Sequence, residues 1–185
     1  MGKKNKKPTK TKLKILLVGP RYTGKGQIGR AWGKTDADLP TLQPVILYDR
    51  IVKLGNKDVR VVAWVLSFDP EFKDLRHCFY KEPDGVIFTF DVSDDTGQSL
   101  KDMSQYRFEL GGSLGCPQIL AGVHLDEKKK EATKLRSEID KRLEMWRKYT
   151  PKDFVQYFTL YYPDKTRFQD EVEKMFEALL KKIVE

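Results

Sequence analysis

The sequence predicts an α/β fold in which helices cover both faces of a mostly parallel β-sheet. Apolar runs alternate with segments of helical periodicity along the chain, and strands that alternate with helices are typical of parallel sheets. The runs KLKILLV and GVIFTFDV are almost continuously apolar, which indicates strands that are buried on both faces. A predicted hairpin near the start of the chain adds one antiparallel pair.

Six strands are expected. A turn at Gly55–Asp58 joins the second to the third, because glycine, asparagine and aspartate favour tight turns. The predicted strands span residues 12–18, 45–54, 59–66, 85–92, 118–122 and 153–161.

Four helices follow from the apolar spacing. The first begins at Lys25 and ends before Gly33, and the others cover 98–109, 126–149 and 169–184. The last has the clearest amphipathic pattern, with apolar side chains at i, i+3, i+4, i+7, i+8 and i+11. These side chains are Val172, Met175, Phe176, Leu179, Leu180 and Ile183.

The composition suits one globular domain. The chain has 185 residues, of which 39% are hydrophobic and 34% charged. It contains no apolar run long enough to span a membrane and no secretory signal. Cys78 and Cys116 form no disulfide or zinc pattern, so we expect both to be buried free thiols and the protein to be cytoplasmic.

The positive charge is concentrated at the N-terminus. Of the formal net charge of +8, seven charges come from lysines in the first 14 residues, which leaves +1 for the remainder. We expect residues 1–11 to form a disordered lysine-rich tail, since blocks of like charge resist folding. The tail is either a solubilising segment or a weak contact with an anionic membrane or nucleic acid.

A phosphate-binding motif follows the first strand. The P-loop pattern is Gly, four residues, Gly, Lys and then Ser or Thr. Gly19, Gly24 and Lys25 match it, but Gly26 stands where a Mg²⁺-binding hydroxyl is needed. The strand before the motif and the helix after it supply the context for a phosphate cradle. The alternative is that the glycines only form a tight turn.

At this point the chain resembles the Ras superfamily of small GTPases, most closely the Rab-like branch, over about residues 12–184. The best stretch lies between Val59 and Ser93, where seven residues match the family pattern without a gap. These are Trp64, Phe72, Phe79, Tyr80, Gly85, Asp91 and Val92. The resemblance implies a P-loop NTPase fold, the Ras-like G domain, over residues 12–185. Its six-stranded sheet has one antiparallel edge strand and about five helices on both faces.

The resemblance also implies a guanine-nucleotide site. Thr41 matches the threonine that senses Mg²⁺ and the γ-phosphate, although it could be a turn residue after Pro40. Asp126 matches the aspartate that pairs with guanine, although it could instead be a helix N-cap. The residues expected to hold GTP or GDP are Gly19, Thr23, Gly24, Lys25, Gly26, Thr41 and Asp126.

Several family residues are replaced together. Val65 stands at the position of the aspartate that assists Mg²⁺, and Phe68 at the glycine whose N–H meets the γ-phosphate. Asp69 replaces the glutamine that orients the attacking water. Val123 replaces the asparagine of the guanine motif. These substitutions predict lost or weakened GTP and GDP binding and weak or absent Mg²⁺ binding.

Five bulky residues flank the same predicted site. Arg21 and Tyr22 occupy positions that are small in many active members, so they would crowd the γ-phosphate, or Arg21 would act as a phosphate cation. Tyr161 and Tyr162 either stack on a base or pack in the core. We expect His124 to be a surface or loop histidine.

The expected function is that of a pseudo-GTPase, a protein-interaction or regulatory module with absent or very slow GTP hydrolysis. No residue is assigned a catalytic or metal-binding role. The alternative is an atypical guanine-nucleotide switch that keeps weak GTP or GDP binding. The partners are proteins of unspecified identity, and the sequence has no motif for a lipid anchor.

Overall fold

The computed structural model describes residues 11–35, 43–111, 115–126, 133–149 and 152–185. Strands and helices alternate along the chain after an initial β-hairpin. The strands are β1 (Lys12–Val18), β2 (Val45–Leu54), β3 (Lys57–Leu66), β4 (Gly85–Asp91), β5 (Gln118–His124) and β6 (Phe154–Tyr161). The helices are α1 (Lys25–Trp32), α2 (Lys73–Phe79), α3 (Gln98–Glu109), α4 (Thr133–Tyr149) and α5 (Lys165–Val184).

The strands form one sheet in the order β2-β3-β1-β4-β5-β6. The β2–β3 hairpin is antiparallel, and every other neighbouring pair is parallel. The predicted α/β fold, a six-stranded mostly parallel sheet with one antiparallel edge strand, is therefore confirmed. β1 lies at the centre, so the loop after Val18 opens at the carboxyl edge of the sheet, where such folds bind ligands.

Each face of the sheet carries its own hydrophobic core. On one face α1 and α5 cover the strands, and the rings of Trp32 and Phe176 stack with centroids 3.9 Å apart. On the other face α3 and α4 pack against the sheet, and Phe88 meets Trp146 edge to face at 5.3 Å. The two cores hold β1 and β4 buried on both sides, as their continuous apolar runs predict.

Several element boundaries differ from the prediction. The seven-residue helix α2 was not predicted, because it is too short to display an apolar stripe. α5 begins four residues early, at Lys165, since the backbone N–H of Arg167 donates to the Asp164 carboxylate at 3.0 Å and caps the helix. β5 continues to His124.

Of the two cysteines, only Cys116 is buried, where desolvation raises its pKa to about 12. The expectation for Cys78 was wrong, because it lies on the exposed side of α2. Within the described ranges no helix is long and apolar enough to cross a bilayer. The tail was predicted to be disordered over residues 1–11. Of these, residues 1–10 lie outside the described part of the chain, so the disorder stays a prediction.

Candidate functional site

The loop between β1 and α1 has the backbone of a phosphate-binding loop. Gly24 has φ +76°, a left-handed conformation that glycine adopts without strain, and it precedes the first residue of α1. A Cβ at Gly24 would lie 2.8 Å from Cγ1 of Val123, and one at Gly19 would lie 2.3 Å from the Thr89 carbonyl oxygen. The glycines are therefore required by close packing against β4 and β5.

Thr23 fastens this loop to the sheet. Its hydroxyl donates to the Pro20 carbonyl at 3.0 Å and shares a hydrogen bond of 2.7 Å with the hydroxyl of Thr89. Both threonines are buried, so each hydroxyl needs an internal partner. Sequence reasoning missed Thr89, whose only local signal is a polar residue in the middle of an apolar strand.

Lys25 turns its ammonium group into the loop. Nζ donates to the carbonyl oxygen of Gly19 at 2.7 Å and also to that of Pro20. Burial lowers the pKa of Lys25 to about 7, because a charged amine is poorly solvated in the interior.

Phe68 lies beside this lysine. Its ring is buried, with its centroid 5.4 Å from Lys25 Nζ and 3.9 Å from the ring centroid of Tyr106 on α3. The guanidinium of Arg76 lies 4.9 Å from the same ring. Phe68 thus joins the phosphate-binding loop, α2 and α3 in one cluster.

Asp69 joins the loop to the segment before α2. Its carboxylate pairs with the guanidinium of Arg21 and accepts the backbone N–H of Glu71 at 3.2 Å, which caps a short 3-10 helix at Pro70–Phe72. The Asp69 side chain is largely buried, whereas Arg21 is about half exposed. The carboxylate is therefore already neutralised by a cation of the protein.

Arg76 completes the cluster from α2. It is buried, donates from Nη1 to the Asp69 carbonyl at 3.2 Å and lies 3.5 Å from the carboxylate of Glu109 on α3. Tyr80 donates its hydroxyl to the same carboxylate at 3.1 Å. The sequence shows no sign of this network, because its members come from separate elements with no shared periodicity.

The chain has relatives among Rab-type proteins. Ras-related protein RABC1 of Arabidopsis thaliana is 26% identical over 178 residues, which cover 94% of this chain and 77% of that protein. Ras-related protein Rab-18 of Lymnaea stagnalis is 27% identical over 182 residues, which cover 95% of this chain and 82% of the Rab-18 protein. The chain is a small GTPase-like protein, similar to proteins of the Ras superfamily over nearly its whole length. No protein-family model matches it.

Gly26 and Val65 lack the oxygen ligands that Mg²⁺ prefers. Gly26 has no side chain, and a Cβ placed there would meet only Nη2 of Arg30, at 3.6 Å. Val65 is buried in the core under α1 and α5. Among the residues that the structure describes, no cluster of three or more His, Cys, Asp or Glu side chains could hold a metal ion.

The guanine side of the Ras-like fold is built from packed residues. Val123 is fully buried against the phosphate-binding loop. His124 is buried as well, with its ring 5.0 Å from that of Tyr161, so the expectation of a surface or loop histidine was wrong. Tyr162 meets Phe168 edge to face at 5.2 Å, which favours packing for this residue.

The remaining predicted residues are divided between described and undescribed parts of the chain. Asp126 is exposed just after β5, and its assignment to guanine or to a helix cap stays a prediction, since 127–132 are not described. Thr41 lies outside the described residues. Tyr22 has φ +59° and is 86% exposed, so its ring lies in solvent and the bulk inside the loop comes from Phe68.

Proposed function

We propose that this small GTPase-like protein acts as a protein-interaction module with little or no GTP hydrolysis. One observation carries the proposal: Phe68 and the Arg21–Asp69 ion pair lie against the phosphate-binding loop beside Lys25. In active family members, switch residues meet the γ-phosphate at this point. In this protein Phe68 and Asp69 contact the phosphate-binding loop directly, through Lys25 and Arg21.

Electrostatics and space support this reading. A γ-phosphate would have to approach an aromatic ring in place of a backbone N–H, and it would meet the Asp69 carboxylate. Opening the site would leave the largely buried Asp69 carboxylate without the half-exposed Arg21 as its cation and would expose Phe68, both of which cost free energy. Because Gly26 and Val65 have no side-chain oxygen, the Mg²⁺ of a bound nucleotide would also lack two protein groups that stabilise it.

The exposed edge of the sheet supports an interaction role. β2 is an edge strand, and Leu47 and Ile51 point to the same face of it, where they are 42% and 69% exposed. Apolar side chains on an open sheet edge are a common basis for protein association.

Thermal unfolding with and without nucleotide tests the proposal. We expect millimolar GTP or GDP with Mg²⁺ to leave the melting temperature of the wild-type protein unchanged, because a ligand that does not bind the folded protein cannot stabilise it. A Mg²⁺-dependent rise of several degrees would contradict the proposal.

Restored variants provide the matched control. Gly26→Ser alone fits the available space, and we expect it to gain no nucleotide response, since Phe68 and Asp69 remain. The combined change Gly26→Ser, Val65→Asp, Phe68→Gly and Asp69→Gln removes all four obstacles. A Mg²⁺-dependent response in this variant alone would support the proposed cause.

The second candidate is an atypical guanine-nucleotide switch. The left-handed Gly24 and the position of Lys25 at the start of α1 favour it, because they preserve a backbone that can cradle phosphate. Titration with a fluorescent GTP analogue decides the matter. This candidate requires measurable affinity in the wild type and its loss in Lys25→Ala.

Further proposals concern the surroundings of the protein. We infer a cytoplasmic location, protein partners and at most a weak contact of the lysine-rich tail with anionic lipid or nucleic acid. Deleting residues 1–11 and measuring vesicle and RNA binding against salt concentration tests the tail. A tail contact would weaken steeply as salt rises.

A further inference from the structure

A second exposed apolar surface lies far from the phosphate-binding loop in sequence, on α3 and α4. Phe108 in the last turn of α3 is 89% exposed, and on α4 Met145 is 46% and Tyr149 is 70% exposed. Most large apolar side chains of the described chain are buried in the two cores, so three such residues on neighbouring helices form an unusual concentration.

Contacts between the helices bring these residues to one side. Arg142 of α4 donates from Nη1 to the Ser104 hydroxyl on α3, and the guanidinium of Arg107 lies 4.6 Å from the Trp146 ring centroid. Phe108 follows Ser104 by four residues. Since residues three, four and seven apart share a helix face, Phe108 flanks the α4 side of α3.

The same spacing places the α4 residues. Met145 and Tyr149 follow Arg142 by three and seven residues, so they flank the α3 side of α4. A depression of about 460 Å³, lined by α4 residues alone, runs along this helix from Glu138 to Tyr149. We define the α3–α4 patch as Phe108, Lys141, Arg142, Met145, Lys148 and Tyr149.

The charge around the patch is mostly positive. Lys141, Arg142 and Lys148 line the depression together with two carboxylates, those of Glu138 and Glu144, and Lys141 Nζ lies 3.8 Å from the Glu138 carboxylate. Lys148 Nζ lies 5.3 Å from the Tyr149 ring centroid. The surface therefore offers apolar anchors surrounded by a net positive charge.

We propose that the α3–α4 patch binds an acidic amphipathic helix of a partner protein. The stretch from Glu138 to Tyr149 is about 17 Å long, or three helical turns, which matches a helix that places apolar residues at i, i+3, i+4 and i+7 in a groove. Glutamate or aspartate on its flanks would face the lysines. The inference rests on the proposed interaction function and names the partner that it requires.

Charge selects this occupant over two others. A second copy of the chain in a two-fold interface would bring like cations together, which opposes association. Glu138 and Glu144 lie among the cations, which disfavours a continuous anionic lipid surface. An acidic helix can instead place its carboxylates opposite the lysines.

Fluorescence anisotropy with a labelled synthetic peptide tests the proposal. The probe is a helical peptide about four turns long, with leucine at i, i+3, i+4 and i+7 and glutamate elsewhere. The control peptide carries lysine in place of every glutamate. We expect saturable binding of the acidic peptide only, with an affinity that falls as salt rises.

Variants of the protein locate the binding. Phe108→Ser and Tyr149→Ser should each raise the Kd about ten-fold, as expected for central apolar anchors. The combined change Lys141→Glu and Lys148→Glu should raise it at least as much. Val184→Ser, at an exposed apolar residue at the end of α5, is the matched control and should leave the Kd unchanged.

Four outcomes would overturn the proposal. They are failure of the acidic peptide to bind, equal binding of both peptides, insensitivity to Phe108→Ser, and a patch that serves only another occupant. The last outcome would appear as self-association in sedimentation, or as binding to phosphatidylserine–phosphatidylcholine vesicles, in a protein that does not bind the peptide. In either case Phe108→Ser would abolish the association. A nucleotide-dependent melting shift in the same samples would contradict the proposed function while leaving the peptide result intact.

Discussion

At the scale of single residues, Lys25 shows how the phosphate-binding loop accommodates a charge. Its side chain is partly buried, and two backbone carbonyls accept hydrogen bonds from its ammonium group. Carbonyl dipoles compensate only part of the lost hydration, so the pKa falls to about 7 from an ordinary value of 10.5. The residue that anchors phosphate in related loops thus destabilises the fold when it is protonated.

Lys25→Met tests this cost through its pH dependence. The unfolded chain binds more protons than the folded one between about pH 7 and pH 10.5, so wild-type stability rises with pH in that window. The variant lacks this term. Its stability relative to the wild type should therefore be greater at about pH 6 than at about pH 9, by on the order of 2 kcal/mol in urea unfolding.

Lys141→Met is the control for this prediction, because Lys141 is mostly exposed. Its stability difference from the wild type should stay constant over the same pH range. A constant difference for Lys25→Met as well would show that its ammonium group is solvated in the folded protein.

At the scale of elements, α2 is tied to its surroundings by polar contacts as well as by apolar packing. Arg76 joins the Asp69 carbonyl to the Glu109 carboxylate on α3, over the Phe68 ring. The Arg21–Asp69 pair joins the segment before α2 to the phosphate-binding loop. These contacts hold a short helix that has little intrinsic stability of its own.

Arg76→Gln should loosen α2. We expect a loss of about 2–4 kcal/mol in local stability, because Glu109 loses its cation and the Asp69 carbonyl its donor. Hydrogen exchange should accelerate in α2 while β1 and β4 keep their protection.

The exposed pair of Arg60 and Asp49 offers the comparison. Arg60→Gln should change stability by less than about 1 kcal/mol, since surface ion pairs contribute little. Equal effects of the two substitutions would mean that the buried network does not hold α2.

At the scale of the whole molecule, one sheet separates two cores, and α1 and α5 close the first of them. The Trp32–Phe176 stack joins these helices, and its two planes are inclined by only 7°. Both rings are buried, so packing at this point links the phosphate-binding half of the chain to its C-terminal helix.

Phe176→Ala should lower the free energy of unfolding by about 3–5 kcal/mol, the usual cost of removing a buried aromatic side chain. Phe108→Ala removes the same side chain from an exposed position and should change stability by no more than about 0.5 kcal/mol. Urea unfolding measures both. A large loss for Phe108→Ala would mean that this ring stabilises the fold and is not free to bind a partner.

The strands and long helices could be predicted because their signals are local. Continuous apolar runs indicated β1 and β4, and the stripe of α5 was evident from its spacing. α2 lacked such a signal. The exposure of Cys78 and the burial of His124 also escaped prediction, because both depend on which side of an element meets the core.

The sequence by itself determined the α/β architecture and the place of the phosphate-binding loop, because hydrophobic periodicity and glycine spacing act over a few neighbouring residues. Only the tertiary structure decided what lies against that loop. Arg21 and Asp69 are 48 positions apart in the chain, and Phe68 meets Tyr106 on another helix. Such contacts depend on how the elements pack, and no local pattern encodes that packing.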